Sequence, residues 1–236
     1  METKEDGGAI FLAKHQFSRI LYPNPVCLLT STAKSADGSS RTNVMTISWL
    51  TPTNNTGDFV CSMNQSRFSC NAVLATKRFV LNVPVTGMED LIRQIGSCSG
   101  SSVDKISKLK LELCKPGWRG AVSSEWKTVR GKKRKKDEAI EALDQLGDMA
   151  LSNCVAHMVC EIGRVCSDFV HGHHILFGSI RAAWVRAQYW TGATFAPQNE
   201  STPSYLTFLG SGQFATVRPD LSSHSKAGEQ DIENLE

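Results

Sequence analysis

Short apolar runs broken by turn residues dominate the first third of this chain. Val26 to Ser31, Asn43 to Trp49, Phe59 to Met63 and Phe79 to Val83 are rich in β-branched, aromatic and aliphatic residues, and Asp37-Gly38, Thr51-Pro52 and Thr56-Gly57-Asp58 separate them. Such runs predict strands. Helical spacing is local. Ile10, Phe11, Ala13, Phe17, Ile20 and Leu21 predict a short amphipathic helix that Pro23 stops, Ser69 is placed to cap a second helix through Lys77, and Gly87 to Ile95 predicts a third. After Pro116-Gly117 the composition changes: a basic run precedes Asp137-Glu138, which opens a segment with Ile140, Leu143 and Leu146 on one helical face. Strands return over Met158 to Val165, His173 to Ile180, Ala182 to Val185, Tyr205 to Phe208 and Gln213 to Val217. Many short strands with a few helices predict a mainly β fold with peripheral helices, a closed or split β-barrel, because closure removes sheet edges. The pattern reads as one domain over residues 1–220 with an insertion at about 117–149, and the polar residues 221–236 are expected to form a disordered tail.

Composition narrows the function classes. A chain of 236 residues, 41% hydrophobic, can bury a sizeable core. Its net charge of +3 is too small to indicate nucleic acid, and seven of its 26 basic residues lie between Lys127 and Lys136. An exposed loop inserted between barrel strands accounts for that basic stretch better than a nuclear address or an RNA-contacting patch does. The acidic start Met1-Glu2-Thr3-Lys4-Glu5-Asp6 has no apolar signal core, and no apolar run approaches the roughly 18 residues that a membrane span needs. A cytoplasmic location is therefore expected. The eight cysteines lie mostly inside apolar runs such as Val26-Cys27-Leu28-Leu29, as reduced and buried thiols would.

Four segments carry candidate chemistry. Read as a strand, Asn43 to Trp49 puts Asn43, Met45, Ile47 and Trp49 on one face and Val44, Thr46 and Ser48 on the other, an arrangement suited to holding a planar ring. The segment Ser62 to Cys70 brings Asn64, Arg67 and Ser69 to the start of a helix, where amides and a guanidinium would bind a phosphate. Gly100-Ser101-Ser102-Val103-Asp104-Lys105 reads as a flexible loop that delivers one ammonium. His173 to Gly178 adds an imidazole on a strand. Taken singly, each has a plainer reading: Trp49 as a core aromatic, Ser69 as a helix cap, Lys105 as a solvated lysine and His173 as a structural histidine.

In this order the segments resemble the flavin reductase-like, FMN-binding split-barrel proteins, and among them the flavoredoxin-like group, over roughly Ile10 to Val217. The opening Pro23-Asn24-Pro25-Val26, the strand Asn43 to Trp49, the Gly100 to Lys105 unit, His173-His174-Ile175-Leu176-Phe177-Gly178 and the final hairpin Tyr205 to Phe214 carry the likeness. The resemblance implies a bound FMN. Asn43, Thr46, Ser48 and Trp49 would contact or cover its ring, Asn64, Arg67, Ser69 and Lys105 would hold its phosphate, and His173 and Phe214 would lie near the flavin or the acceptor pocket. It also implies a homodimer and NAD(P)H-dependent flavin reduction, with hydride passing from nicotinamide to flavin N5. That step needs alignment rather than a protein base, so no residue is assigned as general acid or base. The rivals are an FMN-holding electron carrier that does not turn over pyridine nucleotide, and a nucleic-acid or partner-binding module built on the basic insertion.

Two decoys weigh less. Gly96-Ser97-Cys98-Ser99-Gly100 mimics a nucleophile elbow, yet a helical pattern precedes it, where an elbow needs a strand. Cys154, Cys160 and Cys166 recur at even spacing near His157, but strand residues six apart stand roughly 20 Å from each other, too far to share a metal. No metal is assigned.

Overall fold

The computed structural model describes residues 12–34, 39–118 and 145–217. The basic run 127–136, the helix expected from Asp137 and the polar tail 221–236 lie outside the described residues. In chain order come β1 (Asn24–Pro25), β2 (Cys27–Lys34), β3 (Ser40–Ile47), β4 (Leu50–Pro52), β5 (Asp58–Asn64), α1 (Phe68–Thr76) and β6 (Arg78–Val83). Two further helices, α2 (Glu89–Ser97) and α3 (Lys105–Lys108), precede β7 (Leu113–Cys114). Beyond the insertion follow β8 (Ala150–Leu151), β9 (Ala156–Val170), β10 (His173–Val185), β11 (Leu206–Gly210) and β12 (Gln213–Thr216).

Seven strands form one antiparallel sheet in the order β3-β2-β6-β9-β10-β5-β4. Strands β3 and β4 occupy its opposite edges, yet only Ser48 and Trp49 join them. Three Cα–Cα steps reach about 11 Å, whereas the edges of a flat seven-stranded sheet lie about 29 Å apart at about 4.8 Å per strand. The sheet must therefore curl until its edges meet. The result is a split barrel, with β1-β11-β12 as a separate three-stranded sheet and β7-β8 as a two-stranded one. Gly178 on β10 marks a tight point of the wall, since a Cβ there would come within 2.7 Å of the Glu161 carbonyl oxygen and 2.8 Å of the Phe59 ring.

Leu28, Leu29, Val44, Val73, Ile95, Cys160 and Leu176 are fully enclosed in the main core. Val80, Cys114, Trp118, Ala150 and Val159 form a smaller cluster on the other face of β6 and β9, with Trp184 packed on it. All eight cysteines are free, and Cys98 and Cys166 alone among them are half-buried rather than buried. Among the described residues no helix is long and apolar enough to cross a membrane.

Among the described residues the expected elements are present with shifted ends. The helix expected over Ala9 to Leu21 is a 3-10 helix over Lys14–Leu21 that buries none of its residues, so Phe17, Ile20 and Leu21 are exposed. Strand β3 stops at Ile47 and leaves Trp49 in the link between sheet edges. The separate expected strands His173 to Ile180 and Ala182 to Val185 are one strand with a register shift between Ile180 and Ala182.

The return from the insertion is anchored by buried polar groups. Asn82, wholly buried, donates through Nδ2 to the Leu28 carbonyl at 2.7 Å and accepts the Leu151 amide at Oδ1 at 2.8 Å. Thr30 donates through Oγ1 to the Met149 carbonyl at 2.6 Å. Asn82→Leu orphans a buried amide and a carbonyl at once, so urea unfolding should show a loss of about 2 kcal/mol.

Candidate functional site

Helices α1, α2 and α3 all pack along β3, the sheet edge that ends at the Ser48-Trp49 link. Between them runs a trough with two compartments. The first, about 230 Å³, is lined by Asn43, Ser66, Arg67, Ser69, Cys98 and Lys105 among others, and no carboxylate is among its described lining residues. The second, about 320 Å³, is mostly apolar, with Val26, Ile47, Ile92, Phe208 and Phe214 in its wall and Ser48 at its polar side. Thr46, Gly96 and Ser97 line both and so join them.

The polar compartment is built from buried donors. Asn43 Nδ2 donates to Ser69 Oγ at 2.7 Å, and both side chains are buried. That bond fills an acceptor position on Oγ and leaves the hydroxyl proton free to be given to a ligand. Cys70, the neighbouring alternative, is buried in the main core, and burial raises its thiol pKa. Ser69 thus lines the trough and Cys70 does not. Ser69 also does not cap α1: Arg67 is the N-cap residue and makes no side-chain cap bond. The guanidinium of Arg67 and the positive N-terminal end of α1 therefore share one wall.

Lys105 differs from the mobile ammonium expected on a loop. It is the first residue of α3, is 4% exposed, and donates through Nζ to the Val44 carbonyl at 3.0 Å and the Ile95 carbonyl at 2.8 Å. An ammonium has three protons, so one remains for the trough that Lys105 lines. Burial lowers its pKa, the Cys98 thiol opposes that shift and Arg67 adds to it. Asp104 sets the helix that carries it: Oδ1 accepts the Ile106 amide at 3.0 Å and the Ser107 amide at 3.3 Å, and Oδ2 accepts the Ser107 hydroxyl at 2.7 Å. The Ser107 hydroxyl, and then these amides, hold the Asp104 carboxyl below its ordinary range. Gly100 closes this corner. A Cβ there would lie 2.6 Å from the Phe68 ring and closer still to Asn43 Oδ1, and Arg41 donates to the Gly100 carbonyl at 2.9 Å.

Seven of the ten residues singled out from the sequence line the trough: Asn43, Thr46, Ser48, Arg67, Ser69, Lys105 and Phe214. The other three line neither compartment. Trp49 is 43% exposed, donates through Nε1 to the Tyr22 hydroxyl at 3.1 Å, and meets the His173 ring at a centroid distance of 5.3 Å. Asn64 Oδ1 accepts the Ser66 amide at 2.8 Å and the Ser66 hydroxyl at 2.6 Å, so it shapes the turn before α1 from an adjoining hollow. The geometry also adds Arg93, Gly96, Ser97, Cys98 and Phe208 to the walls. The elbow-like Gly96 to Gly100 is thus a wall segment. It runs from the last turn of α2, and a Cβ on Gly96 would sit 3.3 Å from Thr46 Oγ1.

An FMN molecule fits this donor set by chemistry. A dianionic phosphate would meet Arg67, Lys105 and the Ser69 hydroxyl with no opposing carboxylate among the described lining residues, and the tricyclic ring would lie in the apolar compartment.

The profile described as Flavin reductase like domain matches residues 17–196. Among solved structures, flavoredoxin from Methanosarcina acetivorans superposes with a TM-score of 0.62 at 20% identity, covering 94% of this chain and 98% of that one. The FMN-binding protein from Thermus thermophilus with bound 1-cyclohex-2-enone superposes at 0.59 with 18% identity, over 92% of this chain and 97% of that one. The NADH:FAD oxidoreductase of Streptomyces globisporus gives 0.58 at 16%, over 90% and 99%. No curated protein matches the sequence.

Proposed function

The chain belongs to the flavin reductase-like family, and from that premise we propose that its trough holds FMN and that the protein is a flavin oxidoreductase supplied with hydride by NADH or NADPH. The observation that carries the reading is that a polar compartment, with no carboxylate among its described lining residues, continues into an apolar one through Thr46, Gly96 and Ser97. Arg67, Ser69 and Lys105 hold the phosphate, and Asn43 orients the Ser69 hydroxyl. Thr46 and Ser48 present polar groups to the ring edge, while Phe208 and Phe214 cover it. Trp49 and His173 meet each other outside the trough and are given no contact with the flavin, and Asn64 shapes the phosphate turn. When bound, the cofactor supplies two-electron hydride chemistry; the protein supplies alignment and exclusion of water.

Pairing of two copies belongs to the same reading, because Trp49, Phe169, Val170 and Phe177 stand exposed around the far end of the β9-β10 hairpin. So does a cytoplasmic location, which suits eight free thiols.

Purified protein should be yellow or take up FMN, and NADH or NADPH should bleach its flavin absorbance within seconds under anaerobic conditions. A bound flavin that ignores both nucleotides yet is reduced by dithionite would make the protein an electron carrier. A protein that takes up no FMN would end the proposal.

A further inference from the structure

Arg93 is the one charged side chain among the described residues lining the apolar compartment, and nothing in the reading above uses it. It projects from α2 and is held in place three times over. Its Nε donates to the Gly212 carbonyl at 3.1 Å, Nη1 donates to Asp90 Oδ1 at 2.6 Å, and its guanidinium carbon stands 5.3 Å from the centre of the Phe214 ring. The turn it grips is also held by Arg19, which donates to Ser211 Oγ at 2.9 Å. A guanidinium with Nε and one Nη engaged keeps the donors of its other Nη unspent. The charge is fixed as well as present, which an arginine on a free surface is not.

The opposing charge is placed unequally. The Asp90 side chain is 89% exposed, against 47% for Arg93. Water therefore screens the carboxylate more fully than the guanidinium, whose other side lies on Phe214. An electron-accepting ring in this compartment would feel a net positive potential. Hydride transfer from a reduced nicotinamide, which leaves as the oxidised cation, adds two electrons and one proton to such a ring and hence one unit of negative charge.

Resting on the FMN reading, we infer that Arg93 sets the redox poise of the site: its fixed positive charge in the wall of the ring compartment holds reduced FMN more tightly than oxidised FMN. It is a tuning residue, and no proton moves to or from it.

The test compares wild type with Arg93→Gln, Arg93→Lys and Asp90→Asn. Oxidised FMN affinity is read by fluorescence quenching, and the midpoint potential by anaerobic dye-equilibrated titration. Arg93→Gln should lose about tenfold more affinity for reduced than for oxidised FMN, which for a two-electron couple is a fall of about 30 mV. Arg93→Lys should retain most of the wild-type potential. Asp90→Asn removes the opposing charge and should raise the potential, a second and opposite reading that survives if Arg93→Gln fails to fold. Equal weakening of both redox forms in Arg93→Gln, with Asp90→Asn unchanged, would leave Arg93 as a clasp on the β11-β12 turn and overturn the inference. A potential in Arg93→Lys as low as in Arg93→Gln would overturn it too. Wild-type protein that takes up no FMN would sink the parent reading with it, whereas a bound flavin whose potential ignores all three exchanges would sink this inference alone.

Discussion

Replacing Lys105 by methionine should lower FMN affinity about a hundredfold and also destabilise the protein by about 2 kcal/mol, whereas Arg67→Ala should lower affinity about tenfold at unchanged stability. The difference follows from burial. The Lys105 ammonium is 4% exposed and satisfies two carbonyls, of Val44 on β3 and Ile95 on α2, so it ties the helix to the sheet edge as well as facing the trough. Methionine fills the same volume but orphans both carbonyls. The loss is tempered because a charge no longer has to be kept out of water. Its third proton is the one a phosphate would take. One charge-assisted bond in a half-enclosed cleft is worth about 1.5–3 kcal/mol, or one to two powers of ten in affinity at about 1.4 kcal/mol each. Arg67 is exposed and makes no side-chain cap bond, so truncating it removes ligand contact alone. Fluorescence titration with FMN, paired with urea unfolding of the same variants, separates the two effects. A pH series adds a third check. Burial lowers the Lys105 pKa, so wild-type FMN affinity should decline below the ordinary lysine range as the ammonium is lost, and Lys105→Met should lack that decline. Lys105→Met protein that binds FMN as tightly as wild type would remove Lys105 from the phosphate site.

What was legible in the sequence, and what was not, divides along the range of the interactions. Strand runs such as Phe79 to Val83 and the helix from Phe68 to Thr76 are set by local periodicity, and they lie within a residue or two of their expected bounds. The number of short strands predicts barrel closure. Its cause, the two-residue link between opposite sheet edges, requires the strand order and is not local. The same link explains Trp49: alternation carried past Ile47 puts it on a ring-facing strand, but closure turns the chain there and sends the indole to Tyr22 and His173. Ser69 and Asn43 are 26 positions apart, and only their contact shows which hydroxyl faces the trough. The glycine and serines before Lys105 predict a mobile loop. The Asp104 cap and two distant carbonyls, neither readable from composition, make it rigid. Arg93 carried no signal beyond being a polar residue on an amphipathic helix, and its role depends on a turn 119 residues away. The closest sequence hint was Gly96, a glycine in the last turn of α2, which permits the close approach to Thr46.

Acid should weaken the fold through His157, by about 3 kcal/mol between neutral pH and pH 4, with no direct involvement of the trough. His157 is completely buried, and its ring is held on both edges. The Gly117 amide donates to Nδ1 at 3.1 Å, so Nδ1 is unprotonated, and Nε2 must carry the proton that it gives to the Leu151 carbonyl at 2.9 Å. Burial pushes the pKa down to about 4; the Leu151 bond works against that shift and the Arg186 guanidinium adds to it. Arg186 lies 3.9 Å from the centre of the Trp118 ring, which in turn packs 4.2 Å from the imidazole, so a second positive charge would be introduced beside the first. The unfolded chain binds the proton near pH 6.5 and the folded one only near 4, so between these values the unfolded state holds more protons and stability falls as pH falls. About 2.5 units at about 1.36 kcal/mol each give about 3 kcal/mol. Asp148 acts in the opposite sense: burial raises its pKa, more than Arg78 lowers it, so its protonation favours the folded state as pH drops. The Asp58 carboxyl, held down first by the Ser179 hydroxyl, loses its contribution only at lower pH. The contribution of His157 is therefore read as a difference, wild type minus His157→Gln, by urea unfolding from pH 7.5 to 4. That difference should shrink steadily below pH 6.5, and a difference independent of pH would show that the imidazole titrates normally in the folded protein.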